Sequence, residues 1–303
     1  MKRVCLALMG TEVPSTQRSM TMLPVALGMA GTTTDRLARF WRIGGALLVV
    51  LLLAVLFAAP AEAEPRIKVS GCEVYATNYV DPIAFTEHLH HQFGNTSTTN
   101  QSMGESLFNA GLGATSCKED WFTSAARFPV EQNEPVSRIA VYYRAPGDQT
   151  QVRAIPKGLQ LLATEKQYNC GASAGNDAPF QETPPYGCTE NWSTRLIFPD
   201  CWDTKSLEEE HTVYSNARGE CPSTHPYRIP RINYLIQHEN TDGVVPNPLV
   251  VSAGVDVWED FTFMHGHYFA ANQPVFNDAL LDLCLRNAPD SVLVADPRCG
   301  ERP

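Results

Sequence analysis

Short runs of β-branched and aromatic residues, separated by turn residues, dominate the chain after residue 64 and predict β-strands. The run at 138–144 is followed by Pro146-Gly147, a dipeptide typical of turns. Further strands are predicted at 194–198, 229–237, 249–252 and 261–264. The stretch 169–189 is rich in Gly, Pro, Asn and Cys, so it predicts a loop held by disulfides.

Helical periodicity is clear in one segment near the C-terminus. Apolar residues recur there at helical spacing from Val275 to Cys284. The stretches 82–89 and 102–112 are also compatible with helices. We therefore expect a single β-rich domain, mainly an antiparallel sheet or sandwich, with a few short helices.

The first 63 residues have a different pattern from the rest of the chain. Residues 1–35 show no apolar period, and we expect them to be disordered or to precede the true start of translation. A basic flank then leads into an unbroken apolar run at 44–59, and Pro60 ends that run.

Residues 36–63 as a whole have the features of a secretory signal peptide. Ala61 and Ala63 provide the small side chains that a signal peptidase requires. The alternative is an uncleaved membrane anchor, although the apolar run is short for a span of about 20 residues. Either interpretation places residues 64–303 outside the cytoplasm, as a secreted or a membrane-anchored extracellular domain.

Charge separates the same two parts of the chain. There are 23 Lys and Arg residues against 33 Asp and Glu. Six basic and three acidic residues precede residue 64, which leaves 17 basic and 30 acidic residues and a net charge of −13 in the remainder. An acidic surface disfavours nucleic acids and anionic membranes, and it tolerates cations, neutral sugars and cationic peptides. We therefore expect no nucleic-acid partner, and membrane contact only through an uncleaved N-terminal segment.

Eight of the nine cysteines lie after residue 64 and predict up to four disulfides in an oxidising compartment. They are Cys72, Cys117, Cys170, Cys188, Cys201, Cys221, Cys284 and Cys299. No C-x-x-C spacing occurs, which disfavours a zinc ribbon or a redox motif. Cys170 with Cys188, and Cys201 with Cys221, would each close a loop of about 20 residues, worth about 3 kcal/mol. These two pairings compete with on the order of 100 other connectivities.

Histidine is concentrated in the same part of the chain, where all eight occur. His88 and His90 form one H-x-H pair, and His265 and His267 form a second. Residues i and i+2 of an extended segment share a face, so each pair can present two imidazoles to one point. Neutral imidazole suits Zn²⁺ and Cu²⁺, and these four histidines are the predicted ligands of a divalent metal.

A pocket lined by histidines would also suit acid–base chemistry without a metal. The candidate pocket residues are His88, His90, His211, His225 and His265, supported by Asp203 as a carboxylate that orients a histidine. Phosphate-loop, dinucleotide-binding and H-E-x-x-H motifs do not occur in the sequence. The usual sequence signals of nucleotide enzymes and zinc proteases are therefore missing. For any single histidine, a purely structural role is the alternative.

Several motifs after residue 64 resemble one known family. The stretch H-L-H-H-Q-F-G-N-T-S-T at 88–98 is similar to the H-M-H-x-F-F-G-N-x-S-T signature of the domain of unknown function DUF1996. The resemblance continues in order through F-P-D-C-W-D at 198–203, C-P-S-T-H-P-Y-R-I-P at 221–230 and M-H-G-H-Y-F at 264–269. That family consists of secreted fungal and bacterial proteins, some joined to WSC-type carbohydrate-binding modules. The resemblance therefore implies export and a relation to glycans, but no particular reaction.

Two positions depart from the family's pattern. The family has two histidines in a D-H-x-S-H-x-x-Y stretch, of which only His211 is present here, with glutamates where the first would fall. His267 occupies a position at which the family generally has Asp. An Asp-to-His change keeps a metal ligand. The lost histidine implies weaker metal binding or an inactive relative.

Two functions of different classes fit the sequence. The first is an exported, disulfide-bonded domain whose His-lined polar pocket, with or without a metal such as Zn or Cu, acts on or binds extracellular polysaccharide. The alternative is a non-catalytic cell-surface or carbohydrate-binding module. Its stacking faces would come from Trp121, Trp192, Trp202 and Trp258. Core packing is the competing role for each tryptophan, and the sequence leaves open whether the protein is an enzyme.

Overall fold

The computed structural model describes the part of the chain after residue 65, with gaps. The described ranges are 66–79, 89–99, 114–130, 135–171, 179–241, 243–245, 250–253, 257–260, 264–271, 278–287 and 296–299. The predicted N-terminal extension, 1–35, and the predicted signal or anchor segment, 36–63, lie outside them. So do residues 82–88 and 102–112, for which helices are predicted. Residues Ala63–Pro303 form one compact unit.

β-Strands make up most of the described residues. In chain order they are β1 (Arg66–Cys72), β2 (Ala76–Tyr79), β3 (Leu89–Gly94), β4 (Ala125–Pro129), β5 (Val136–Arg144), β6 (Gln160–Ala163), β7 (Glu165–Cys170), β8 (Trp192–Ile197), β9 (Cys201–Trp202), β10 (Thr212–Val213), β11 (Tyr227–Arg228), β12 (Arg231–His238), β13 (Val250–Ala253), β14 (Val257–Asp260) and β15 (Gly266–Phe269). The predicted strands at 138–144, 194–198, 229–237 and 249–252 correspond to β5, β8, β12 and β13. Residues 261–263 of the fifth predicted strand lie outside the described ranges.

Helical structure is sparse among these residues. The α-helix α1 (Asp278–Leu281) continues directly into a π-helical turn, Asp282–Arg286. The helix predicted at 275–284 is thus seen from residue 278, and its second half is wider than an α-helix. Short 3₁₀ turns occur at Gln149–Gln151, Glu209–His211 and Pro297–Cys299. No helix within the described ranges has both the length and the apolar character needed to cross a bilayer.

Two five-stranded sheets form the body of the domain. The first has the strand order β1-β5-β12-β8-β7, and the second has the order β2-β3-β4-β15-β6. A three-stranded sheet, β10-β9-β11, and the hairpin β13-β14 complete the architecture. The paired strands are antiparallel, so the expected β-rich, mainly antiparallel single domain is confirmed.

The two large sheets face each other across one continuous apolar core. Tyr234 of the first sheet meets Phe93 of the second edge-on, with ring centroids 5.0 Å apart. The Tyr234 hydroxyl donates to the carbonyl of His267 at 2.8 Å, and the hydroxyls of Tyr143 and Tyr268 lie 3.2 Å apart. Each of these buried phenols thus has a polar partner across the interface, which lets large aromatic rings fill a sandwich core.

Four disulfides join the eight predicted cysteines. They are Cys72–Cys117, Cys170–Cys188, Cys201–Cys221 and Cys284–Cys299. The two pairings considered from sequence spacing are both present. One of them closes the predicted loop at 169–189, and another pins the π-helical turn, which contains Cys284, to the last described residues of the chain.

Candidate functional site

The candidate site lies on the face of the second sheet that points away from the core. Side chains alternate along a strand, so Gly266 and Tyr268 of β15 face the core, whereas His267 and Phe269 face outward. The same alternation on β3 turns Phe93 inward and His90 and Gln92 outward. Two chain segments that are far apart in sequence therefore present histidine on one face.

Three histidines converge on this outer face. His90 comes from β3, His267 comes from β15, and His265 immediately precedes β15. The Nε2 atoms of His90 and His265 are 3.1 Å apart. The ring centroids of the three side chains are 4.8–5.3 Å apart, and one ring nitrogen from each lies within 4.8 Å of the others. We call these three residues the histidine triad.

Strand order explains how the triad assembles. β4 lies between β3 and β15, with Pro129 directly opposite His90 and Arg127 directly opposite His267. The backbones of β3 and β15 are therefore about 10 Å apart, twice the usual spacing of neighbouring strands. The imidazoles of His90 and His267 span this distance, because their ring centroids are 5.3 Å apart.

Two of the three triad side chains are buried, and the third reaches the surface. His90 and His267 are 0% and 1% exposed, whereas His265 is partly exposed. Imidazoles at this distance can share a proton or a ligand. The Nε2–Nε2 distance of 3.1 Å between His90 and His265 suits a hydrogen bond between two neutral rings.

The same arrangement fits a metal ion. Metal–nitrogen bonds of about 2.1 Å place two histidine ligands of one ion about 3.0–3.4 Å apart. The pair His90 and His265 already meets that separation, and a ring nitrogen of His267 lies within 4.8 Å of theirs. Within the described ranges this is the one group of three histidine, cysteine or carboxylate side chains with ligand atoms so close together. Of the four predicted metal ligands, His90, His265 and His267 come together, and His88 lies outside the described residues.

A buried arginine that the sequence interpretation missed flanks the triad. Arg127 is 0% exposed and lies opposite His267 on one side and opposite Gln92 on the other. Its guanidinium stands 5.0 Å above the ring of Phe269, and its Nη2 donates to the carbonyl of Thr99 at 3.0 Å. The only sequence signal is a single charged residue inside the apolar run A-A-R-F-P.

Tyr75 is a further polar residue close to Arg127, and it contacts Gln92. Its hydroxyl donates to Gln92 Oε1 at 3.2 Å. Burial raises the pKa of Tyr75 to about 12, although the nearby positive charge of Arg127 opposes that shift. Burial likewise lowers the pKa of Arg127 to about 10, against the opposing effect of Tyr75. At neutral pH, Arg127 is therefore a cation and Tyr75 a neutral phenol.

Asp203 and His211 form a different pair, at the small three-stranded sheet. His211 Nδ1 lies 2.9 Å from Asp203 Oδ2, and the backbone N–H of Lys205 donates to Asp203 Oδ1 at 2.8 Å. Burial alone would raise the pKa of Asp203, but hydrogen bonds from His211 and Lys205 outweigh it and lower the pKa to about 2. Asp203 therefore holds His211 in one orientation, as the sequence interpretation proposed for it.

The other predicted pocket residues with described positions come from different segments of the chain. His211, His225 and Asp203 belong to the segments around β9, β10 and β11 and do not join the close triad. His225 is partly exposed, and its Nδ1 lies 3.0 Å from the hydroxyl of the neighbouring Thr224. That these residues line one pocket with the triad stays a prediction.

Two of the four tryptophans named as stacking faces are core residues. Trp121 is 7% exposed and Trp192 is fully buried, so neither can receive a sugar ring. Trp202 is partly exposed, packs edge-on against Tyr227 and donates its indole N–H to the carbonyl of Ser206 at 2.6 Å. The side chain of Trp258 lies outside the described residues.

Comparison with known proteins identifies one family. The family model described as Domain of unknown function (DUF1996) matches residues 78–271, which is more than half of the chain. That range contains β3, β4 and β15, and hence all three triad histidines. Neither the curated proteins nor the solved structures compared with the chain include a significant match. The chain belongs to the DUF1996 family.

Proposed function

We propose that the protein is exported and that His90, His265 and His267 hold a divalent transition metal, Zn²⁺ or Cu²⁺, at a site that acts on or binds extracellular glycan. One observation carries the metal assignment. Three imidazoles from two distant segments place their ligand nitrogens within 4.8 Å of one another, in a sheet face that buries two of them. Imidazole is the most common protein ligand of both metals.

A metal held by three histidines would have reactive capacity. Three protein ligands leave at least one coordination position open, which is typical of catalytic rather than structural zinc sites. An ion at such a position polarises a bound oxygen or lowers the pKa of a bound water to about 7. The partial exposure of His265 gives the side from which a substrate would approach.

Export is supported by the disulfides. Eight cysteines form four bonds that cross-link segments 15 to 45 residues apart. Disulfides of this density persist in oxidising compartments and are rare in the cytosol. The glycan assignment is supported by the association of the DUF1996 family with WSC-type carbohydrate-binding modules. Burial of Trp121 and Trp192 favours a polar site over the alternative of a purely aromatic binding module.

Metal content tests this proposal. The exported protein, with its disulfides formed, is loaded with Zn²⁺ or Cu²⁺, freed of excess metal and measured by mass spectrometry. We expect about one ion per chain in the unmodified protein, and loss of that ion in the double variant His90→Ala, His265→Ala. The variant His225→Ala is the matched control, because His225 lies outside the triad, and it keeps the ion.

The hydrogen-bonded pair His90 and His265 supports a second candidate, acid–base chemistry without a metal. The 3.1 Å contact already satisfies both Nε2 atoms when one imidazole donates and the other accepts. In that case neither the unmodified protein nor the His225→Ala control retains an ion. Such a result refutes the metal centre and leaves the metal-free candidate.

A further inference from the structure

A polar cavity lies at the surface where the segment after β5, strand β11 and the helical turns that begin with α1 meet. Its volume is about 420 Å³, within the range of roughly 300–1,000 Å³ that is usual for small-ligand sites. None of the triad histidines lines it. The lining residues are 150–154, Tyr227, Asp278 and Arg286.

One wall of the cavity is an aromatic ring with a cation over it. Arg153 is exposed, and its guanidinium stands 5.3 Å from the ring centroid of Tyr227. Trp202, which is partly exposed, packs edge-on against the same ring. The Tyr227 hydroxyl donates to the carbonyl of Ala154 at 3.3 Å, and this bond fixes the ring relative to the segment that carries Arg153. The cavity therefore has an apolar surface directly beside a group of hydrogen-bond donors.

The second arginine of the cavity is fully engaged, in contrast to Arg153. The Arg286 guanidinium donates to Asp278 Oδ1 at 2.8 Å and to Asp282 Oδ1 at 3.0 Å, and its Nε donates to the carbonyl of Val152. The Asp278 side chain is 74% exposed, and among the described residues only its Oδ1 is engaged, so Oδ2 is available as an acceptor. The guanidinium of Arg153 has no hydrogen bond or ion pair to any described residue.

We propose that this cavity binds a neutral sugar ring of the extracellular glycan, with Arg153 donating to sugar hydroxyls and Asp278 accepting from them. Hydroxyls both donate and accept, so they match a cavity that offers a free guanidinium and a free carboxylate oxygen. The two arginines are balanced by Asp278 and Asp282, so no net charge favours an ionic ligand. This inference rests on the proposed function, from which it takes the glycan, and it adds a binding site that the triad does not form.

Loss of Arg153 has a measurable effect on sugar affinity. A hydrogen bond to a charged group contributes a factor of about 10 to 100 in affinity. We therefore expect Arg153→Ala to weaken sugar binding about 10- to 100-fold. Arg153→Lys retains part of the affinity, because lysine keeps the charge but not the planar fork. Asp278→Asn has a smaller effect, since asparagine keeps one carbonyl oxygen as an acceptor.

The test is calorimetric titration of the disulfide-bonded, metal-free protein with cellobiose, N,N′-diacetylchitobiose and mannobiose, each at up to about 10 mM. Digalacturonic acid is the acidic comparison. Arg218→Ala is the matched control, because Arg218 is an exposed arginine that does not line the cavity, and it leaves the affinity unchanged. Arg153 and Asp278 are both exposed, so their variants keep the thermal unfolding midpoint of the unmodified protein, which is measured alongside.

Each outcome decides a separate point. If none of the three neutral disaccharides binds, or if Arg153→Ala binds them as tightly as the unmodified protein, the inference is overturned. Tighter binding of digalacturonic acid than of every neutral disaccharide overturns the assignment to a neutral sugar. The double variant His90→Ala, His265→Ala keeps the affinity for sugar, and loss of that affinity without loss of fold would place the sugar at the triad instead. Failure of the metal centre is seen separately in the metal content and leaves these metal-free titrations unchanged.

Discussion

We expect acid to destabilise the protein through His238, the histidine at the end of β12. This side chain is 0% exposed, stacks on Trp192 with ring centroids 3.9 Å apart and has Nε2 at 3.2 Å from the hydroxyl of Thr194. Burial lowers the pKa of His238 to about 3, and the charge of His91 adds to the shift. Burial also lowers the pKa of His91 to about 4.

The sign and size of the effect follow from proton binding. Above about pH 6.5 both histidines are neutral in the folded and unfolded states, so they add no pH dependence. Below pH 6.5 each of these histidines is protonated in the unfolded chain but stays neutral in the folded protein. The free energy of unfolding therefore falls by about 1.4 kcal/mol per pH unit for each histidine. The loss ends near the folded pKa values. At pH 4.5, two units below the unfolded pKa, His238 alone accounts for about 2–3 kcal/mol.

The assay is urea unfolding of the disulfide-bonded protein at a series of pH values from 7.5 to 4.5. The variant His238→Gln cannot take up the proton, so its free energy of unfolding falls by about 2–3 kcal/mol less over this range. Its absolute stability at pH 7.5 is lower because the stacking on Trp192 changes, and the readout is therefore the slope. His225→Gln, at a partly exposed position, is the control that keeps the original slope.

Equal slopes for the unmodified protein and His238→Gln would refute this reasoning. That result would mean that His238 is charged in the folded protein or that acid opens its environment before global unfolding.

Three further changes test the fold through the free energy of unfolding, measured with denaturant at pH 7.5. Gly94→Ala lowers the free energy of unfolding by about 2 kcal/mol or more, because Gly94 has a φ of 86° and an added Cβ would overlap the carbonyl oxygen of Ser124. An unchanged unfolding midpoint would contradict the backbone described for β3. Tyr268→Phe lowers the free energy of unfolding by about 1–2 kcal/mol, since the Ser124 hydroxyl donates to the Tyr268 hydroxyl at 3.0 Å in the core. An unchanged free energy would mean that this hydrogen bond contributes nothing to stability. Removal of the Cys201–Cys221 disulfide, which spans 20 residues, costs about 3 kcal/mol by loop entropy; a cost near zero would show that the loop stays ordered without it.

Local patterns were sufficient for part of the site. The H-x-H spacing predicts that His265 and His267 share a face whenever the segment is extended, and their ring centroids lie 4.8 Å apart. Runs of β-branched residues likewise predicted β5, β8 and β12, because residues that fit a pleated, half-buried surface are enriched in strands. Cysteine content predicted the number of disulfides.

The meeting of His90 with His265 could not be predicted in the same way. These residues are 175 positions apart, and their contact depends on β4 lying between β3 and β15. Strand order arises from the packing of the whole sandwich rather than from any local pattern. Arg127 was missed for a related reason, because a charged residue in an apolar run is interpreted as an edge or a turn until its neighbours on both sides are known.

X-ray absorption at the metal edge tests the central claim most directly, because it measures the ligands of the ion in the disulfide-bonded, metal-loaded protein. A centre held by His90, His265 and His267 predicts three imidazole nitrogens at about 2.0–2.1 Å. The His90→Ala, His265→Ala variant, treated in the same way, retains no ion and gives no such spectrum. An ion in the unmodified protein that is surrounded by oxygen alone, or by fewer than three imidazoles, would contradict the account.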